Sequence, residues 1–137
     1  MTANTFHSSR IQFKPAGSDR GSVDGAWWPH TRDLAGETRA IARDVGEHLQ
    51  RLERVGYALR DWDTSDTTRI AIDGQRISLE GFTVWTPATV RFTGASSTLT
   101  LAVIPPDTDP RTAREIMTRA THRHSTRSAS ALLGPQA

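Results

Sequence analysis

The residues best suited to chemistry in this chain lie in one ten-residue stretch, residues 24–33, which reads Asp-Gly-Ala-Trp-Trp-Pro-His-Thr-Arg-Asp. Asp24 and His30 are of the types that general acid–base catalysis uses. The adjacent indoles Trp27 and Trp28 could stack on a base, a sugar or a partner side chain. The stretch therefore predicts either a binding site or, as the weaker alternative, the site of a small enzyme that uses Asp24 and His30.

The tryptophan pair has two interpretations. Pro29 disfavours helical geometry for Trp28, and in an extended segment successive side chains point to opposite sides. One indole can then be buried while its neighbour faces solvent, a groove or a partner. In the alternative interpretation both rings are structural, one in the core and one over the start of the next helix.

The polar residues of the stretch also have local explanations. Asp24 and Arg32 could anchor a ligand beside the indoles, with Trp62 and Trp85 as further candidates. Equally, Asp24 suits a turn, Asp33 suits a helix cap and Arg32 suits a surface ion pair. The predicted ligand- or partner-binding residues are Asp24, Trp27, Trp28, His30, Arg32 and Trp62.

A row of arginines near the C-terminus is the second candidate surface. Residues 111–137 carry five arginines against Glu115. On a helix, Arg111, Arg119, Arg123 and Arg127 would share one face, which could follow nucleic-acid phosphates or contact an acidic protein. In the alternative interpretation, these arginines have no binding role and form a solvated helix face followed by a disordered basic tail. A net charge of only +2 argues against nucleic acid as the main partner.

Several classes of protein are disfavoured. Cysteine is absent, which excludes disulfides and thiolate chemistry. We find no glycine-rich phosphate loop, G-x-S-x-G elbow or H-E-x-x-H motif. His122 and His124, two apart on a predicted helix, would face away from each other, so no metal site is expected. No cofactor is expected either. No apolar run is long enough to span a bilayer, which predicts a cytoplasmic protein.

The hydrophobic pattern predicts an α+β domain. A short strand at residues 11–13 precedes a long helix that begins after Asp33 and ends at Gly56 as its C′ residue. Strands follow at residues 57–63, on both sides of the Asp73-Gly74 turn, and on both sides of residues 94–97.

A second helix begins at Asp109-Pro110. We expect an antiparallel sheet of five to six strands with both helices on one face. The predicted domain spans residues 10–124, between a flexible tail at 1–9 and a disordered basic tail at 125–137.

A set of short motifs is spread over roughly residues 10–121. They are Asp24-Gly25-Ala26-Trp27-Trp28-Pro29, Arg32-Asp33-Leu34, Val55-Gly56-Tyr57 with Trp62, Gly81-Phe82, and Leu99-Thr100-Leu101 leading to Pro105-Pro106. In these motifs the chain resembles a family of small actinobacterial proteins of unknown function. The resemblance implies a cytoplasmic protein of one domain and supplies no activity, cofactor or partner. Members of the family usually carry arginine where this chain has His30, which disfavours a mechanism built on His30.

The leading hypothesis is therefore a non-enzymatic binding or regulatory module that uses the Trp-Trp-Pro loop to hold a small molecule or a protein. A purely structural account, in which the tryptophans fill the core and another surface carries the function, stays open beside it.

Overall fold

A seven-stranded sheet organises the part of the chain that the structure describes. The computed structural model describes residues 10–15, 17–18, 21, 23–63 and 67–133. The strands are β1 (Ile11–Phe13), β2 (Gly25–Trp27), β3 (Leu52–Ala58), β4 (Arg69–Ile72), β5 (Gln75–Phe82), β6 (Thr89–Gly94) and β7 (Thr98–Val103). The helices are α1 (Leu34–Leu49), α2 (Pro110–Ala120) and α3 (Ala129–Leu133), with a 3-10 turn at Leu59–Asp61.

The sheet is mixed, with the strand order β1-β2-β7-β6-β3-β5-β4. The α+β class is confirmed, but the prediction of five to six antiparallel strands is wrong. The short strand β2 lies in the segment predicted as a loop, and it pairs parallel to β7. The β4–β5 hairpin places β4 at the edge, so that β5 pairs parallel to β3. Neither parallel pair could be predicted from neighbouring residues, because each joins segments distant in sequence.

Helix α1 begins as predicted and ends early. Asp33 occupies the N-cap position, although its side chain makes no capping hydrogen bond. The buried stripe of the helix includes Leu34, Ile41 and Val45. The helix stops at Leu49, because Gln50 adopts a left-handed φ of 67°. Gly56 is therefore not a helix terminus but a residue in the middle of β3, and residues 59–61 form the 3-10 turn in place of the predicted strand.

The helices pack on opposite faces of the sheet, which corrects the prediction of one shared face. Side chains alternate along a strand. Trp27 and Leu101 point toward α1 and form the larger core cluster. Their neighbours Ala26 and Ala102 point to the other face, where they join a second cluster with residues of α2 and α3. The small alanines allow these helices to approach the sheet closely.

The C-terminal segment is more ordered than the sequence predicts. Asp109 caps α2 as expected, because its side chain accepts hydrogen bonds from the backbone N–H groups of Arg111 and Thr112. Within the predicted basic tail, α3 buries Leu132 completely against the second cluster. Residues 125–133 are thus tied to the domain by an apolar anchor. The tail predicted at residues 1–9, and residues 134–137, lie outside the described residues.

None of the helices in the described part of the chain is long and apolar enough to cross a membrane.

Candidate functional site

The two adjacent indoles point to opposite faces of the sheet, as the proline argument predicts. Trp27 is 0% exposed in the larger core cluster. Its ring stacks on Trp62 with 5.1 Å between centroids and lies 5.7 Å from Phe92. Trp27 therefore fills the core and is not available to a ligand, as the structural alternative has it.

Trp28 lies at the edge of the second cluster and is half-buried. The guanidinium of Arg10 covers its ring at 3.9 Å from the centroid. Its indole Nε1 is buried and has no hydrogen-bond partner among the residues that the structure describes. The Arg10 side chain occupies one face of this ring, so Trp28 is not an open stacking platform in this conformation.

Asp24 holds two strands together. Its carboxylate accepts a hydrogen bond from the backbone N–H of Thr100 at 2.8 Å, and its own N–H donates to the Thr100 carbonyl at 2.6 Å. The Asp24 carbonyl accepts from the N–H of Lys14. These bonds join the segments around β1, β2 and β7, and they give the Asp24 side chain a partner other than His30.

His30 lies beside Glu37 instead. Its Nδ1 is 3.8 Å from Oε1 of Glu37, and its ring is exposed. Glu37 accepts hydrogen bonds from the backbone N–H groups of His30 and Thr31 and from the Thr31 hydroxyl, at 2.9–3.1 Å. This carboxylate, in the first turn of α1 and 8% exposed, fixes the loop after β2.

Sequence analysis did not identify Glu37 as a residue that holds this loop. The available signal was its position six residues after Thr31, because a carboxylate in the first turn of a helix can accept hydrogen bonds from the backbone N–H groups of the loop before it.

Arg32 is bound to the segment that follows β3. Its side chain donates to the Asp61 carbonyl at 3.0 Å, and its own carbonyl accepts from the N–H of Asp63 at 2.7 Å. A single bridge between Asp33 and Asp63 continues this contact. The loop carrying Arg32 and the turn carrying Trp62 are therefore fixed against each other.

A cleft of about 190 Å³ lies where these two segments meet the end of β7. We call it the proline cleft. Its apolar walls include Pro29, Trp62, Pro105 and Pro106, and its charged residues are Arg32 and Asp61. Of the six predicted binding residues, Arg32 and Trp62 line this cleft. Sequence analysis assigned no binding role to Asp61 or to the Pro105-Pro106 pair, which lie far from the tryptophan stretch in the sequence.

Ala88 also lines the proline cleft, and its backbone is strained. Its φ is 57°, a conformation that costs free energy in any residue with a Cβ. Gln50 and Asp73 share positive φ, but they lie at a helix end and in a tight turn. The Ala88 carbonyl accepts from Val103 N–H at 2.8 Å, which ties the strained residue to β7.

Trp85 does not join the proline cleft. It lies over Gly56 of β3, where an added Cβ would come within 2.7 Å of the indole. Phe82 stacks on its ring with 4.8 Å between centroids, and its Nε1 donates to the Thr89 carbonyl. Trp85 thus covers part of the sheet face that α2 and α3 leave uncovered.

The predicted arginine row is interrupted. Arg111 and Arg119 lie in α2, but the helix ends at Ala120, so Arg123 and Arg127 lie in the non-helical segment that follows. The two histidines in that segment do not face apart, because they are not on a helix. The rings of His122 and His124 are 5.7 Å apart. Within the described residues, no group of three potential metal-binding side chains comes together.

A comparison with protein families identifies the chain's relatives. The family of unknown function DUF5994 matches residues 10–120. The chain belongs to this family. The match spans β1 through α2 and therefore includes most of the proline cleft. No curated protein and no solved structure matches the chain.

Proposed function

We propose that this DUF5994 member is a binding module whose ligand occupies the proline cleft. One observation carries the proposal: Arg32 and Asp61, of opposite charge, line the same small cleft as Trp62 and three prolines. Small-molecule sites commonly combine apolar walls with a few fixed polar groups. The strained backbone of Ala88 supports the assignment, because strain of this kind often occurs at ligand sites.

The size and charge of the cleft indicate the class of ligand. A volume of about 190 Å³ is below the range of drug-sized pockets and suits a group the size of one ring. The prolines and Trp62 would contact its apolar body. A ligand with one anionic and one cationic group, such as an apolar amino acid, would complement Arg32 and Asp61 better than a single ion.

The rigidity of the cleft suits binding without a large rearrangement. Glu37 fixes the loop that carries Arg32, and the contacts of Arg32 with Asp61 and Asp63 fix the opposite wall. A preorganised site loses less conformational entropy on binding. As part of this proposal, the protein is cytoplasmic and of actinobacterial origin. The proposal also keeps residues 10–124 as a single domain.

Titration calorimetry with three probes that share a phenyl ring tests the proposal. We expect phenylalanine to bind more tightly than benzoate or benzylamine, because it alone carries both charges. Arg32→Gln and Asp61→Asn should each weaken phenylalanine binding about tenfold, the usual effect of losing one charge-assisted hydrogen bond. The control variants Arg43→Gln, on the exposed face of α1, and Asp73→Asn, in the β4–β5 turn, should bind like the wild type.

If Arg32→Gln and Arg43→Gln weaken phenylalanine binding equally, the assignment of the ligand to the proline cleft is contradicted, because a change in net charge alone would then explain the loss of affinity. Failure of all three probes to bind at millimolar concentration would contradict the proposed ligand class.

A further inference from the structure

A second concave site lies beyond the end of α2, on a part of the chain that the proline cleft does not use. We call it the basic groove. It measures about 430 Å³ and is lined by residues that include Arg119, Arg127, His122, His124, Ser125 and Thr126. No carboxylate is among its described lining residues. The groove therefore gathers cationic and hydroxyl groups without an internal neutralising charge.

Backbone contacts hold the groove in shape. The N–H of Ser125 donates to the His122 carbonyl at 2.9 Å, and Lys14, which follows β1, donates from Nζ to the Ser125 carbonyl. The Arg119 side chain donates to the Leu132 carbonyl at 3.4 Å, which links α2 to α3. The first bond closes a turn within the segment between the helices, the second holds that segment to the residue after β1, and the third joins the helices that flank it.

The donors in the groove match an oxyanion. The N–H of His124 donates to Nδ1 of His122 at 3.2 Å, so a neutral His122 carries its proton on Nε2 and can donate from there. Guanidinium groups, such as those of Arg119 and Arg127, bind phosphate with two parallel hydrogen bonds. The hydroxyls of Ser125 and Thr126 add further donors.

We propose that the basic groove binds a phosphorylated small molecule. Its volume falls within the range of small-molecule sites. A nucleic-acid surface is less favoured, because the arginines do not form a continuous row and the described lining residues include no Phe, Tyr or Trp for base stacking. This inference concerns a site separate from the proline cleft and does not depend on the ligand proposed there.

Pyrophosphate is a suitable probe, because it presents two phosphoryl groups and no base. We expect saturable binding to the full chain, measured by calorimetry at constant ionic strength. Arg119→Gln and Arg127→Gln should each weaken it about tenfold or more. Arg111→Gln is the matched control, since it removes the same charge from α2 outside the groove and should leave the affinity unchanged.

Arg127→Gln keeps the test valid if Arg119→Gln disturbs the contact with α3, and circular dichroism establishes whether each variant is folded. Weakening of the same size in Arg111→Gln would overturn the proposal, because binding would then reflect net charge. The absence of saturable pyrophosphate binding would also overturn it. If the protein instead binds DNA with a steep salt dependence and does not bind pyrophosphate, the groove is a nucleic-acid surface and the proposal is overturned.

Discussion

The ring of Trp27 stacks on that of Trp62, with 5.1 Å between centroids and 28° between planes. This contact joins β2 to the turn after β3, and Trp62 also lines the proline cleft. The core and the candidate site therefore share a wall. Trp27, which sequence analysis placed among the ligand-binding residues, does not line the cleft and instead packs on Trp62, which does.

Replacing each indole of the pair should give unequal losses of stability. Trp27→Ala removes a fully buried ring and should lower the free energy of unfolding by about 3–5 kcal/mol. Trp28→Ala removes a half-buried ring under Arg10 and should cost about 1–2 kcal/mol. Urea denaturation followed by circular dichroism measures both values. Equal losses would contradict the difference in burial between the two rings.

Removing the Glu37 carboxylate should destabilise the domain through the loop after β2. Glu37→Ala leaves the N–H groups of His30 and Thr31 without their acceptor and should cost about 1.5–3 kcal/mol. Glu47→Ala, at an exposed position of the same helix, should change stability by less than about 0.5 kcal/mol. Denaturation midpoints of the two variants provide the comparison. Similar midpoints would show that Glu37 does not fix the loop.

Two glycines should respond in opposite directions to alanine. At Gly56 the new Cβ would meet Trp85 at 2.7 Å, and the displaced indole should cost about 1–3 kcal/mol. At Gly46, inside α1, nothing lies within 4 Å of a new Cβ, and alanine should stabilise the helix by about 0.5–1 kcal/mol. Thermal melts measure the signs, and tryptophan emission should shift to the red only in Gly56→Ala. A stabilised Gly56→Ala variant would contradict the packing of Trp85 on β3.

The features that sequence analysis predicted correctly depend on local chemistry. Asp33 begins α1, Asp109 caps α2, and Asp73-Gly74 forms a turn in which both residues have positive φ. Each of these depends on a few neighbouring residues. The alternation between Trp27 and Trp28 was predictable for the same reason, since Pro29 acts on the residue directly before it.

The errors arise where distant segments decide the structure. The strand β2 exists because β1 and β7 lie on either side of it, and its three residues carry too short a pattern to show this. The proline cleft needs Arg32 to meet Asp61, 29 residues away, and then Pro105 and Pro106. The end of α1 depends on Gln50 adopting a conformation that favours glycine.

The indole N–H resonances of the protein test the proline cleft most directly. Each resonance in a two-dimensional ¹H–¹⁵N spectrum can be assigned by replacing one tryptophan with phenylalanine. On titration with phenylalanine, the account predicts a saturable shift of the Trp62 resonance. The Trp85 resonance should not shift, because its indole N–H donates a hydrogen bond to the Thr89 carbonyl outside the cleft. A Trp62 resonance that does not move at saturating phenylalanine, or a shift confined to Trp85, would contradict the assignment of the ligand site.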